Sequence, residues 1–214
     1  MICIIRIQSL EKPELLWDEI IAHKDMLQKA ISNKGKLLYI SKRRKYNEVS
    51  LFVHVTDPNF LGDFVALHLA KIPGVSGIWL INMMKPVFFP LPKDTAGMTR
   101  YTVTVKTYSP RLSEVYGGLL ALRPPEGIIL TYLAYTCHLF GDCIQFSLLT
   151  KDANVLEKYI NEHINHIPGI LRTTVCEIEK TSPFISWDEW QEYITRSSTL
   201  VEYDAQHMID QFRK

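Results

Sequence analysis

The sequence lacks every short catalytic signature that assigns a reaction class on sight. No GxSxG, P-loop, GxGxxG or HExxH pattern stands in a supporting context. The four cysteines, Cys3, Cys137, Cys143 and Cys176, show no CxxC spacing. This excludes a zinc ribbon or dithiol redox motif and implies reduced, buried thiols in a cytoplasmic protein. Only Cys137 and Cys143 fall close enough to face each other across a hairpin. The net charge of +1 provides no global field toward nucleic acid or anionic lipid. No apolar run is long enough to span a bilayer, so no membrane partner is expected. The first residues lack a basic n-region and a cleavage site, so no signal peptide is expected.

What the chain does have is an internal repeat. Residues 57–75 recur at 152–170 without a gap, pairing Asp57 with Asp152, Asn59 with Asn154, and Leu61 with Leu156. His68 pairs with His163, and Ile72, Pro73 and Gly74 pair with Ile167, Pro168 and Gly169. Asp57 and Asp152 are N-cap candidates, and Pro58 suits a first helical position. The apolar positions that follow keep helical spacing, and Pro-Gly ends each helix.

The segments before and after repeat in order too. In the first copy, residues 2–7 read as a strand, 13–31 as a helix, 36–45 and 49–55 as a hairpin, and 77–84 as a closing strand. In the second, 101–107, 110–122, 128–139 with 143–149, and 171–179 take the same roles. The expected fold is α+β, with tandem ferredoxin-like βαββαβ units at 1–90 and 99–182. A Pro-rich linker at 91–98 joins them, and a helical tail occupies 183–214. Each sheet has an uncovered face, so the two are expected to pack sheet to sheet as an internal pseudo-dimer of the dimeric α+β barrel kind.

With its hairpin run His138, Leu139, Phe140, Gly141, Asp142 and both helices ending in Ile-Pro-Gly, the chain resembles the effector-binding (RAM) domain of the Lrp/AsnC regulators. The resemblance spans residues 1–182 as two copies. It implies a stand-alone regulatory protein that binds an amino acid or similar small molecule beside the hairpin. No helix-turn-helix precedes the first strand, so direct nucleic-acid contact is not expected. The partners would be a second copy or a homologue that carries the helix-turn-helix. The implied ligand-binding residues are His138, Phe140, Gly141, Asp142 and His163, with Tyr46 and Asn47 at the corresponding hairpin of the first copy. No catalytic residue, metal ligand or cofactor is implied.

Other readings stay open. Gly141 and Asp142 also serve an ordinary turn. His68 and His163 also suit packed positions near a helix end, and His163 with His166 could share a helix face as metal ligands. The basic run Lys42, Arg43, Arg44, Lys45 is a solvated hairpin end or a phosphate contact. Ser186 and Glu189 have capping-box spacing, with Ile185 and Trp190 as a hydrophobic staple, and Thr199 with Glu202 repeats the spacing. The second tail helix is acidic, which disfavours DNA, while Trp187, Trp190, Tyr193 and Tyr203 suit packing onto the body or a partner. The functional alternative is an enzyme of the dimeric α+β barrel type, resembling sirohaem decarboxylases or monooxygenases. His138, His163, Arg43 and Arg172 would then hold a propionate-bearing ring.

Overall fold

The computed structural model describes residues 1–138, 141–192 and 195, with 137, 138, 141 and 142 described in backbone only. The first half runs β1 (Ile2–Ser9), α1 (Pro13–Ala22), α2 (Lys24–Ile31), β2 (Gly35–Arg43), β3 (Glu48–Val55), α3 (Pro58–Leu67) and β4 (Val75–Phe88). The second runs β5 (Thr99–Thr107), α4 (Leu112–Ala121), β6 (Ile128–His138), β7 (Gly141–Thr150), α5 (Ala153–Tyr159) and β8 (Ile170–Pro183).

The repeated segment forms the same local structure twice. The Asp57 carboxylate accepts from the Asn59 amide at 3.0 Å, and that of Asp152 accepts from the Asn154 amide at 2.8 Å. Each satisfies an orphan donor of the first turn. The exits use Gly74 at φ +84° and Gly169 at φ +99°. A Cβ on Gly169 would also sit 3.0 Å from Arg111 Cβ and 3.1 Å from Val115 Cγ2, whereas one on Gly74 would meet nothing within 4 Å. Gly169→Ala is therefore expected to cost about 2–4 kcal/mol, from strain plus overpacking. Gly74→Ala should cost only about 1 kcal/mol, from backbone strain. Urea denaturation of the two variants checks the difference.

The halves do not form two sheets stacked face to face, and the expected tandem ferredoxin-like units are corrected here. All eight strands close into one antiparallel barrel in the order β1-β3-β2-β8-β5-β7-β6-β4. The edges of the two halves pair: Asn82, Met83 and Met84 of β4 with Cys137, Thr136 and Tyr135 of β6, and Ile178 of β8 with Arg43 of β2, and longer strands extend both seams. β4 continues past Met84 to pair Val87 and Phe88 with Leu133 and Tyr132 of β6. β8 continues to pair Lys180, Thr181, Ser182 and Pro183 with Lys42, Ser41, Ile40 and Tyr39 of β2. These pairings join the free edges of each half to the other, removing the edges that two separate sheets would expose. The β4 extension passes Pro86 through a bulge, where Lys85 takes φ +47° and the missing N–H breaks no ladder.

The helices cover the outside. In the first half, Cys3, Ile5, Ile7, Leu51 and Val53 point outward against Leu16, Ile20, Leu27 and Phe64. In the second, Val103, Val105, Ile144, Phe146 and Leu148 do the same against Val115, Leu119, Leu156 and Tyr159. The alternate residues of the strands face the barrel interior. Among them Ile2, Ile4, Leu38, Phe52, Ile81, Met83, Phe88, Tyr132 and Ala134 form a third apolar cluster shared by both halves. Among the described residues no helix is long and apolar enough to cross a membrane.

After β8, residues 187–192 are helical. The Ser186 amide donates to Glu189 Oε2 at 2.9 Å, and the Glu189 amide donates to Ser186 Oγ at 3.2 Å, which completes a capping box. The expected second tail helix, from Thr199, lies outside the described residues.

Candidate functional site

Strand alternation gives the barrel two unlike ends. Toward the β2–β3 and β6–β7 turns the interior is polar, with Ser41, Arg43, Ser50, Thr136, Gln145 and Ser147 all buried. Toward the other end, where β4 and β8 finish and β5 begins, the apolar cluster fills the interior. A cavity of about 320 Å³ opens there. Leu38 and Tyr39 of β2, Arg100 of β5, and Ile185, Trp187 and Trp190 beyond β8 form most of its wall.

Two local features build this mouth. A bulge in β2 between Leu37 and Tyr39 turns both Leu38 and Tyr39 inward. The capped helix then carries Trp190 across the opening. Its ring stands edge-on to Phe88 at 5.1 Å and to Tyr39 at 6.1 Å, while Tyr39 stacks on Phe52 at 4.0 Å. Lys36, at the start of β2, donates to Glu189 and ties the helix to the barrel.

That tie is sensitive to acid. Lys36, together with the Ser186 amide and hydroxyl, holds the Glu189 carboxyl down at about 2 against an ordinary 4.5. Because the folded value lies below the unfolded one, the contribution is complete above pH 4.5 and fades as the pH falls toward 2. Tryptophan emission is expected to shift to the red across that window as Trp187 and Trp190 leave the mouth. Lys36→Met should raise the midpoint and reduce the amplitude of the transition, since the Ser186 contacts remain.

Arg100 decides what the cavity can hold. Its guanidinium lies 5.6 Å from the Tyr39 ring centre. Among the described residues no carboxylate reaches it as an ion-pair partner. On its other side a polar cavity of about 310 Å³ also uses Arg100 and Thr181, and includes Glu177, Glu179 and Lys180. The Tyr39 phenol is pushed well above its ordinary pKa by burial and by Tyr132, with Arg100 opposing. Burial likewise pushes Tyr132 up to about 12, although Gln145 Nε2 donates to its oxygen at 2.6 Å. Both phenols are therefore neutral near pH 7. Among the described residues the mouth presents one cation without an ion-pair partner, aromatic walls and no carboxylate or imidazole that could act as a base.

The described hairpin residues expected to bind an effector lie at the opposite end of the barrel. Tyr46 and Asn47 form the β2–β3 turn: the Tyr46 ring stands 3.9 Å from Arg43 Cζ, and the Asn47 carbonyl accepts from the Ser9 amide at 2.8 Å. His138 and Gly141 pair where β6 meets β7, and Asp142 pairs with Cys137. Phe140 lies outside the described residues. His163 is exposed in the turn after α5, its ring 5.8 Å from Tyr159, and is not brought beside either hairpin. The described tetrapyrrole candidates differ in setting. Arg43 is buried against Glu48, whereas Arg172 and His163 are exposed, and none of the three lines either cavity. Among the described residues no three His, Cys, Asp or Glu side chains gather to hold a metal ion.

The basic run is largely neutralised within the protein. Lys42 points outward and pairs with Glu14 at 2.5 Å and Glu179 at 3.0 Å, and Arg44 pairs with Glu177 at 3.1 Å. Sequence reasoning passed over Tyr39 and Arg100. The available signal was the polar alternation of Thr102, Thr104, Gln145 and Ser147, which marks a polar barrel interior rather than the dry face of stacked sheets.

No family model matches the chain, and no curated protein matches it. Solved structures do share the fold. A candidate monooxygenase from Lactobacillus acidophilus NCFM aligns with a TM-score of 0.55 at 6% identity, over 86% of this chain and 96% of that one. An anthrone oxidase-like protein aligns with a TM-score of 0.56 at 10% identity, over 86% and 94%. Chlorite dismutase from Candidatus Nitrospira defluvii, in complex with imidazole, aligns with a TM-score of 0.53 at 12% identity, over 90% and 94%. These likenesses show a shared fold, consistent with the closed eight-stranded barrel. None of the three is an Lrp/AsnC-type regulator, so the expected regulator is corrected; at these identities the likeness is one of fold.

Proposed function

We propose that the chain is an enzyme of the monooxygenase-like barrel type, acting at the Tyr39–Arg100–Trp190 mouth on a planar aromatic ketone or phenol that ionises readily. The observation that carries this reading is the half-buried Arg100, without an ion-pair partner among the described residues, on the wall of an otherwise aromatic and apolar cavity. A flat apolar molecule gains from burial against Tyr39, Trp187 and Trp190. The enolate or phenolate oxygen it develops gains from Arg100 in a setting of reduced dielectric. Among the described residues the wall supplies no base, so the reading takes a substrate acidic enough to lose its proton to water.

An anthrone-type methylene meets that condition. Its carbanion, stabilised as the enolate, transfers electrons to dioxygen. One oxygen atom forms the new carbonyl and the other leaves as water, so the methylene compound and dioxygen give the quinone and water. The residues of this chain bind the ring and hold its oxygen.

The test is dioxygen uptake with 1,8-dihydroxyanthrone. Uptake and quinone absorbance should rise in proportion to protein above the rate in buffer. A rate equal to buffer alone overturns the proposal.

A further inference from the structure

The polar end of the barrel holds a second feature, independent of the mouth. Arg6 of β1 and Arg43 of β2 both face the interior there and converge on one carboxylate. Arg43 Nη1 donates to Glu48 Oε1 at 2.5 Å, while Arg6 Nε lies 3.8 Å from the same oxygen. Arg43 is further fixed by donating from Nε to Cys176 Sγ at 3.1 Å and by the Tyr46 ring over its guanidinium.

Arg6 is not fixed in this way. Among the described residues it makes no hydrogen bond, so its donor fork is unfilled. Its side chain is 24% exposed, which leaves a path from solvent, yet protein surrounds most of it. Ser50 stands opposite on β3 and Trp79 on β4. Burial and the neighbouring charge of Arg43 both disfavour the Arg6 cation, and Glu48 offsets them only in part. Two guanidiniums share one carboxylate, and the barrel-facing positions of β5 and β8 nearer the rim are Lys106 and Arg172. An excess of positive charge in a partly desolvated site is stabilised by a bound anion.

We propose that this end of the barrel binds a small oxyanion, held by the open fork of Arg6 with Arg43 as the second cation. A carboxylate and a phosphate group offer the same recognition chemistry: two oxygens spaced for a guanidinium fork. Glu48 serves as the internal counter-charge that sets the affinity.

The experiment titrates the full chain with inorganic phosphate and, separately, acetate, following the Arg6 Nε–H resonance by NMR. Sodium chloride at matched ionic strength is the control. Saturable binding of either oxyanion is expected, and the tighter of the two identifies the preferred group. Arg6→Gln should weaken binding about tenfold or more. Glu48→Gln, which removes the competing carboxylate, should strengthen it. The opposite signs distinguish an anion site from a general loss of structure, and Glu48→Gln decides alone should Arg6→Gln not fold. Overturning results are a chloride response equal to that of the oxyanions, an Arg6→Gln response equal to wild type, or a weaker response in Glu48→Gln.

Discussion

Truncation of Tyr132 to alanine is expected to cost about 3–5 kcal/mol of stability, as for other large aromatics removed from a packed core. Tyr132 is 1% exposed, and its ring meets Phe52 at 5.8 Å and Phe88 at 6.4 Å. Both contacts join the second half of the chain to the first, so the variant weakens the seam as well as one core. Urea denaturation should show one transition in wild type and one transition at lower midpoint in Tyr132→Ala. Two independent domains would instead give two transitions, of which only the second moves. Tyr132→Phe should cost less, about 1–3 kcal/mol, because it removes only the acceptor for the buried Gln145 amide.

Replacement of Arg100 by methionine is expected to have the largest effect on function. A half-buried cation that meets the developing oxyanion of a bound ring is worth about 3 kcal/mol, or roughly a hundredfold in affinity and rate. Arg100→Lys should recover only part of this, because a point charge does not reproduce the planar fork. The fold should be spared, since Arg100 has no ion-pair partner among the described residues and stacks only on Tyr39. Dioxygen uptake with 1,8-dihydroxyanthrone, alongside thermal unfolding, checks both halves of the statement. Equal uptake in wild type and Arg100→Met would remove Arg100 from the site.

Much of the local structure was legible in the sequence, because each piece has a short-range cause. Asp57 and Asp152 cap their helices, Gly74 and Gly169 take the positive φ that Pro-Gly turns require, and Ser186 with Glu189 forms the capping box. The long-range closure was not legible. The closing strands read as ending at 84 and 179, yet they run on through Pro86, which sits at a bulge, and to Pro183, at the last pair with Tyr39, where a missing N–H is tolerated. Those residues of extra strand lengthen the seams that Asn82, Met83, Met84 and Ile178 already form. The helix read over 13–31 also breaks at His23, whose ring and amide nitrogens both lie within hydrogen-bond distance of the Glu19 carbonyl.

The site was hidden for the same reason. Tyr39 and Arg100 belong to strands β2 and β5, which meet only by way of β8, and Trp190 arrives from a helix beyond the repeat. No local pattern brings these three together. Attention to the hairpins instead found Tyr46, whose ring covers Arg43 at the polar end of the barrel.

The central claim is that the working cavity is the mouth between Tyr39, Arg100 and Trp190. A crystal structure of the full chain soaked with 1,8-dihydroxyanthrone tests it most directly. The ring should lie against Tyr39 and Trp190 with an oxygen within hydrogen-bond distance of Arg100. Ligand density between the β2–β3 and β6–β7 hairpins, with the mouth closed over by Trp190, would contradict it.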